Sequence, residues 1–148
     1  MKCWGFGAIG DGGNHPNGTL VPVDVAGLSS GVAAIAAGSD HTCAVMTGAG
    51  IKCWGYNSEG QLGDNSGMFR NSPVEAAGLA TEAPTVVAGG GFHTCAVVAG
   101  GAVKCWGSNF FGQLGLGTAW QRLFSGDVLA ATVSVLISSK RWVYYHGD

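Results

Sequence analysis

The chain is 148 residues long with a formal net charge of -2, and only 11% of its residues are charged, against roughly 25% in an average soluble domain. That balance provides no basic field for nucleic acid or an acidic membrane surface, and Lys140–Arg141 is the only adjacent basic pair. No stretch approaches the roughly 18 apolar residues of a membrane span, and the opening MKCWGFG has no apolar signal-peptide core. No nucleic-acid or membrane partner is expected.

From the N terminus, Lys2–Trp4 reads as a lone strand, the second half of a hairpin whose first half is missing. The chain opens in mid-repeat, which suggests a piece of a longer protein or an unusual start. Gly10 to Gly18 (GDGGNHPNG) is a turn cluster, in which Gly and Asn supply positive φ and Pro16 fixes a bend. Thr19–Val25 alternates as a strand, with Pro22 favouring an edge. Val32–Ala37 is a run of small and β-branched residues, expected near a crowded centre where neighbouring sheets approach closely. Thr42–Met46 and Ile51–Trp54 then face each other across the glycine-bearing loop Thr47–Gly50.

The sequence repeats this unit. Ile35–Gly63, IAAGSDHTCAVMTGAGIKCWGYNSEGQLG, has a second copy at Val86–Gly115, VVAGGGFHTCAVVAGGAVKCWGSNFFGQLG, and half of a third at Lys2–Gly12, KCWGFGAIGDG. His41 and His93, Cys43 and Cys95, Cys53 and Cys105, and Trp54 and Trp106 are each 52 residues apart. In the first copy, Phe6–Ile9 lacks residues present in Tyr56–Leu62. The remaining elements echo the earlier ones: Ser72–Ala76 echoes Thr19–Val25, Thr85–Ala88 echoes Val32–Ala37, and Thr94–Val98 with Val103–Trp106 surrounds Ala99–Gly101. A fixed period near fifty residues marks a repeat architecture. Each unit holds about four short antiparallel strands, the composition of a propeller blade. The repeats are framed as 2–18, 19–67 and 68–118. Beyond Thr118 the motifs vanish, so 119–148 is expected to be a capping segment, a divergent blade or foreign sequence, with Thr132–Ile137 and Trp142–Tyr145 strand-like.

On IAAGSDHTCAV and IKCWGYNSEGQLG the chain resembles the RCC1 repeat family, of bacterial type, from Lys2 to about Gly117. The resemblance implies an all-β fold, a β-propeller that in family members has seven blades, of which about two and a half four-stranded blades are present here. It implies that copies associate to complete a ring, or that the native chain is longer, because open strand edges are an aggregation liability. Its implied role is non-catalytic protein recognition or scaffolding, with no cofactor and an unknown protein partner. Light-sensing members of the family carry a repeated Gly-Trp-Arg-His-Thr. The equivalents here, Gly38-Ser39-Asp40-His41-Thr42 and Gly90-Gly91-Phe92-His93-Thr94, lack both the Trp and the Arg. Nothing matches the basic nucleosome-binding tail of the nuclear exchange factor.

Cys43 and Cys53 lie symmetrically about Gly48, and Cys95 and Cys105 about Gly100, so each pair falls directly opposite on its hairpin. Opposed residues have Cβ atoms about 4.5–5.5 Å apart, and a disulfide in each hairpin is the leading expectation, with reduced buried thiols as the alternative. Oxidised pairs place the protein in an extracellular or periplasmic compartment. The ten-residue spacing lacks a zinc signature, and no metal is expected. Cys3 has no counterpart and is a free thiol or an intermolecular bridge.

The recurring His41 and His93 are expected to hydrogen-bond backbone between strands, because a catalytic residue rarely needs a copy in every blade. Gly5-Phe6-Gly7-Ala8-Ile9-Gly10 matches G-x-G-x-x-G, but no helix pattern follows it. Gly27-Leu28-Ser29-Ser30-Gly31 matches the G-x-S-x-G of serine hydrolases, and Ser29, Asp40 and His41 follow in triad order. An ester hydrolase using that set is the alternative function. Asn17-Gly18-Thr19 is a glycosylation sequon, while Asp11 and Asp64–Asn65 read as turn formers. The expected contact loops are Gly10–Gly18, Asp64–Asn71 and Phe110–Phe111, with Asp64, Asn65, Arg70, Phe110 and Phe111 as candidate binding residues.

Overall fold

The computed structural model describes residues 1–128. They form ten strands: β1 (Lys2–Gly5), β2 (Thr19–Asp24), β3 (Val32–Ala37), β4 (His41–Met46), β5 (Ile51–Gly55), β6 (Arg70–Glu75), β7 (Val86–Gly89), β8 (His93–Val97), β9 (Val103–Gly107) and β10 (Arg122–Asp127). Two four-stranded antiparallel sheets, β3-β4-β5-β6 and β7-β8-β9-β10, follow a two-stranded sheet of β1 and β2. The described residues are therefore two complete blades and the outer half of another, an all-β partial propeller. Thr132–Ile137 and Trp142–Tyr145 lie outside the described residues.

The pairings cut across the repeat frames read from the sequence. β2 pairs with β1, and β6 with β5, so the strands at Thr19 and Ser72 close the preceding blade rather than open the next. By the same rule β10, beyond Thr118, pairs with β9 and supplies the fourth strand of the last blade. The signal for β10 is in the sequence: Arg70 and Arg122, and Glu75 and Asp127, are 52 residues apart.

In each blade the Lys of the Lys-Cys-Trp-Gly motif opposes an acid on the outermost strand. Lys2 pairs with Asp24 (2.9 Å), Lys52 with Glu75 (3.2 Å), and Lys104 with both Glu82 and Asp127 (3.4 Å each). With at least one partner of each pair open to solvent, such pairs contribute about 0–1 kcal/mol each. Their value is in register, since a one-residue slip would set each Lys on the other face of the sheet.

The blades stack through continuous cores. Cys43, Val45, Ile51, Cys53, Leu62 and Leu79 of the first complete blade pack with Val87, Ala96, Val98 and Trp106 of the next. Val25 and Leu28, from the chain entering β3, pack with Ala44 and Trp54, with Met1 and Cys3 at the edge of that cluster. The small residues of β3 serve the close approach expected of them. A Cβ on Gly89 would lie 2.7–2.9 Å from the backbone of Ala37 and Gly38, so the innermost strands meet main chain to main chain.

Both cysteine pairs sit directly opposite in the β4–β5 and β8–β9 registers. Their Cα atoms are 4.1 Å apart and each pair is disulfide-bonded, while Cys3 on β1 is free. Burial raises the pKa of the Cys3 thiol against a smaller opposing hydrogen bond from the Trp4 backbone. Among the described residues, no helix is long and apolar enough to cross a membrane.

Candidate functional site

Two regions concentrate the polar and aromatic residues that recur: the joint between complete blades, and the end of the strands that carries the long loops. At the joint, the Thr94 hydroxyl donates to the Gln61 carbonyl (2.8 Å), and the same carbonyl accepts the Trp106 indole N–H (2.9 Å). His41 Nε2 lies 2.9 Å from Thr94 Oγ1. Because that hydroxyl's single proton is committed to Gln61, the imidazole must be the donor, which assigns the Nε2–H tautomer. His41, Gln61, Thr94 and Trp106 are all buried.

His41 therefore bonds a side chain of the following blade, not backbone within its own sheet, which corrects the expectation from the sequence. The ring packs against Gly38, where a Cβ would collide with it, and His93 packs against Gly90 in the same way. Burial, with a smaller contribution from the nearby His93, pulls the His41 pKa down to about 4. Burial also lowers that of His93. Both rings are neutral at pH 7, and the network is a structural clasp.

The joint on the other side of β3–β6 is less complete. Trp54 is fully buried, but its indole N–H has no partner. The shortened Phe6–Gly10 loop does not bring a carbonyl to the place Gln61 fills in the next joint.

The hydrolase set is not assembled. Ser29 precedes β3 at the end where Val32 pairs with Met46, whereas His41 follows β3 at the end where Ala37 pairs with Thr42. The six residues of β3 separate them by roughly 15–20 Å, and His41 Nε2 is committed to Thr94. Asp40 and His41 are neighbours, but no Ser–His pair exists to act as nucleophile and base.

The loop-bearing end is formed by the β3–β4 and β7–β8 turns and by the loops after β1, β5 and β9. Each of the last two loops is closed by an asparagine that the sequence reading passed over. Asn57 Oδ1 accepts from the Leu62 N–H, and its amide donates to Asp64 and the Ser66 carbonyl. Asn109 likewise accepts from the Leu114 N–H and donates to the carbonyls of Thr118 and Trp120. Their 52-residue spacing was the available signal.

Of the predicted contact residues, Asp64 and Arg70 are spent on the fold. The Asp64 side chain is 6% exposed and pairs with Arg70 at 2.8 Å, while also accepting from Ser66 and Asn57. Burial raises its pKa, but hydrogen bonds from Ser66, Arg70 and Asn57 together outweigh this and leave it below the usual value. In the first, shorter loop Asp11 plays the same part with His15 (2.8 Å). Asn65 adopts a positive φ of 61°, and its N–H reaches Leu123 of the next blade (3.0 Å), so it too is a joint residue.

Phe110 and Phe111 are different: they are 72% and 86% exposed. Phe110 lines a shallow groove with Asn109, Ala119, Trp120 and Gln121. Phe6, Tyr56, Met68, Phe69, Phe92 and Trp120 are also exposed, and all belong to this same end. Among the described residues, the β4–β5 and β8–β9 hairpin loops and the connections into β3 and β7, which make the opposite end, expose no aromatic side chain. Among the described residues no group of three or more His, Cys, Asp or Glu is placed to hold a metal ion.

Family models of the regulator of chromosome condensation (RCC1) repeat match residues 3–45, 53–97, 32–61 and 85–113. The chain belongs to the RCC1 repeat family. It is 30% identical over 129 residues to the ultraviolet-B receptor UVR8 of Arabidopsis thaliana, covering 86% of this chain and 29% of the receptor. It is 36% identical over 108 residues to the mitochondrial RCC1 domain-containing protein RUG3 of the same plant, covering 72% and 24%. In structure it is similar to Prp20p of Saccharomyces cerevisiae, with a TM-score of 0.70 at 18% identity, over 84% of this chain and 33% of that one. The chain thus spans about a third or less of each of these proteins.

Proposed function

We propose that this RCC1 segment is a non-catalytic module that recognises a protein partner through its loop-bearing end. The observation that carries this reading is that, among the described residues, the exposed aromatics outside the strands all lie in the loops and turns of that end, Trp4 and Phe124 being on strands. Contiguous apolar exposure is uncommon on soluble surfaces unless something docks there, and aromatic residues are enriched where proteins meet. Prp20p, on the same fold, has been characterised for binding to Gsp1p and histones, which supports protein recognition as the kind of task. The two cross-strand disulfides support an oxidising compartment outside the cytoplasm, and the second edge of β1, which pairs with no strand among the described residues, supports association of copies into a ring.

A photo-crosslinking amino acid placed at Phe110, and separately at Ala99 on the opposite end, tests the reading. Discrete protein adducts from Phe110 and none from Ala99 are expected; equal labelling at both would refute it. For ring completion, mass photometry across concentration is expected to show discrete oligomers, and a monomer throughout would remove that element.

A further inference from the structure

Among the described residues most side-chain charges are paired, and the unpaired carboxylates belong to one end of the fold. Among the described residues, Lys2, Lys52 and Lys104 are paired with acids on the outer strands or, for Glu82, on the connection into β7. Arg70 is held by Asp64 and His15 by Asp11. The Arg122 guanidinium lies over the Phe124 ring at 5.9 Å. Two carboxylates make no ion pair and no side-chain hydrogen bond: Asp40, in the β3–β4 turn, and Glu59, in the β5–β6 loop. One oxygen of Glu59 is shielded from solvent and still unpartnered. Both residues belong to the loop-bearing end.

The backbone at Asp40 is tied to that of an aromatic residue. The Tyr56 N–H donates to the Asp40 carbonyl (2.8 Å), and the Tyr56 ring meets Phe92 edge-on, with centroids 6.1 Å apart. In the next blade, the residues 52 positions on from Asp40 and Glu59 are Phe92 and Phe111. The two blades thus set carboxylates in one repeat against phenyl rings in the other at equivalent sites.

Unpaired carboxylates and exposed rings carried on one end of the fold are the chemistry that takes an ammonium or guanidinium group, through charge and through cation–π attraction. We infer that the loop-bearing end captures a Lys- or Arg-rich segment of a protein partner, with Asp40 and Glu59 as its charge contacts and Tyr56 and Phe92 as its stacking surface. This rests on the reading of that end as a recognition surface and names the partner's chemistry. An acidic or purely apolar partner is disfavoured, because neither would satisfy the two free carboxylates.

The test is fluorescence anisotropy with a labelled short oligo-arginine peptide, and an oligo-glutamate peptide of equal length for comparison. Oligo-arginine is expected to bind in a salt-sensitive manner and oligo-glutamate not at all. The Asp40→Asn/Glu59→Gln double variant is expected to weaken oligo-arginine by about tenfold. The Asp24→Asn/Glu75→Gln double variant removes the same charge from the opposite end, and is expected to change binding by less than about twofold. Phe92→Ala in the otherwise intact protein is expected to weaken binding by roughly threefold. Equal effects of the two double variants would show attraction by net charge alone and overturn the inference, as would absence of oligo-arginine binding. If Phe110 still crosslinks a partner in that case, the recognition surface stands and only its preference for basic segments falls.

Discussion

Replacing Thr94 by valine removes one hydroxyl at nearly constant shape, and so isolates the clasp between complete blades. Thr94 is fully buried. Its loss leaves the His41 Nε2–H without an acceptor (2.9 Å in the native joint) and takes one of two donors from the Gln61 carbonyl, which keeps the Trp106 N–H. A buried donor stranded without a partner costs about 1–3 kcal/mol, and a carbonyl that retains one bond loses less, about 0.5–1 kcal/mol. The total is roughly 1.5–4 kcal/mol. Blade arrays depend on the coupling between neighbours, so the loss falls on that coupling. Thr42 supplies an internal control. It holds the equivalent place in the preceding blade, is half-buried, and has no comparable hydrogen bond. Urea unfolding followed by tryptophan fluorescence is expected to show Thr94→Val destabilised by roughly 1.5–4 kcal/mol and Thr42→Val by less than about 0.5 kcal/mol. Equal effects at the two sites would refute the clasp, since packing is then all that either threonine contributes. A cycle with His41→Leu sharpens the result: if the His41–Thr94 bond is real, the double variant is less destabilised than the sum of the singles.

The same histidine predicts a pH dependence. His41 has a pKa of about 4 when folded and about 6.5 when unfolded, so between those values the unfolded chain binds the extra proton. Stability is then full above about pH 6.5 and declines as pH falls toward 4, by up to roughly 3 kcal/mol. His93, also lowered, adds in the same direction; a His41→Leu variant with an unchanged acid limb would contradict this. Among the tryptophans, Trp106→Ala is expected to cost about 3–5 kcal/mol, and Trp4→Ala, at a position 61% exposed, less than about 1 kcal/mol. Comparable losses in urea midpoint would argue against the asymmetry. Thiol titration of denatured, unreduced protein is expected to find one free cysteine, Cys3. Five would mean that neither hairpin is bridged.

A period in a sequence carries no phase, and that explains which parts of this molecule were legible. Everything within a hairpin could be read directly. Cys43 and Cys53, equidistant from Gly48, must face each other once β4 and β5 pair, and they do. The blade boundary could not be read that way, because a strand at Thr19 or Ser72 repeats equally well as the first element of one unit or the last of another. What decides is its partner, and the marks of that partnership were present but dispersed. Lys2, Lys52 and Lys104 read as scattered cations until each finds an acid across the outer strand pair. Had Glu75 and Asp127 been matched to those lysines first, β10 would have been placed before any coordinates. The joint was harder for a related reason. His41 and Thr94 are 53 residues apart, so a residue of one repeat bonds a residue of the next, and a histidine followed by a threonine in every unit suggests contact inside the unit. Asp64 misled in the opposite sense. A polar residue in a long irregular loop reads as a surface contact, yet its carboxylate is the anchor around which Asn57, Ser66 and Arg70 are tied. Loops that hold their shape without strands must satisfy their backbone with side chains. In this chain the residues left over after that demand, Asp40, Glu59 and the exposed rings, are those free to meet another molecule.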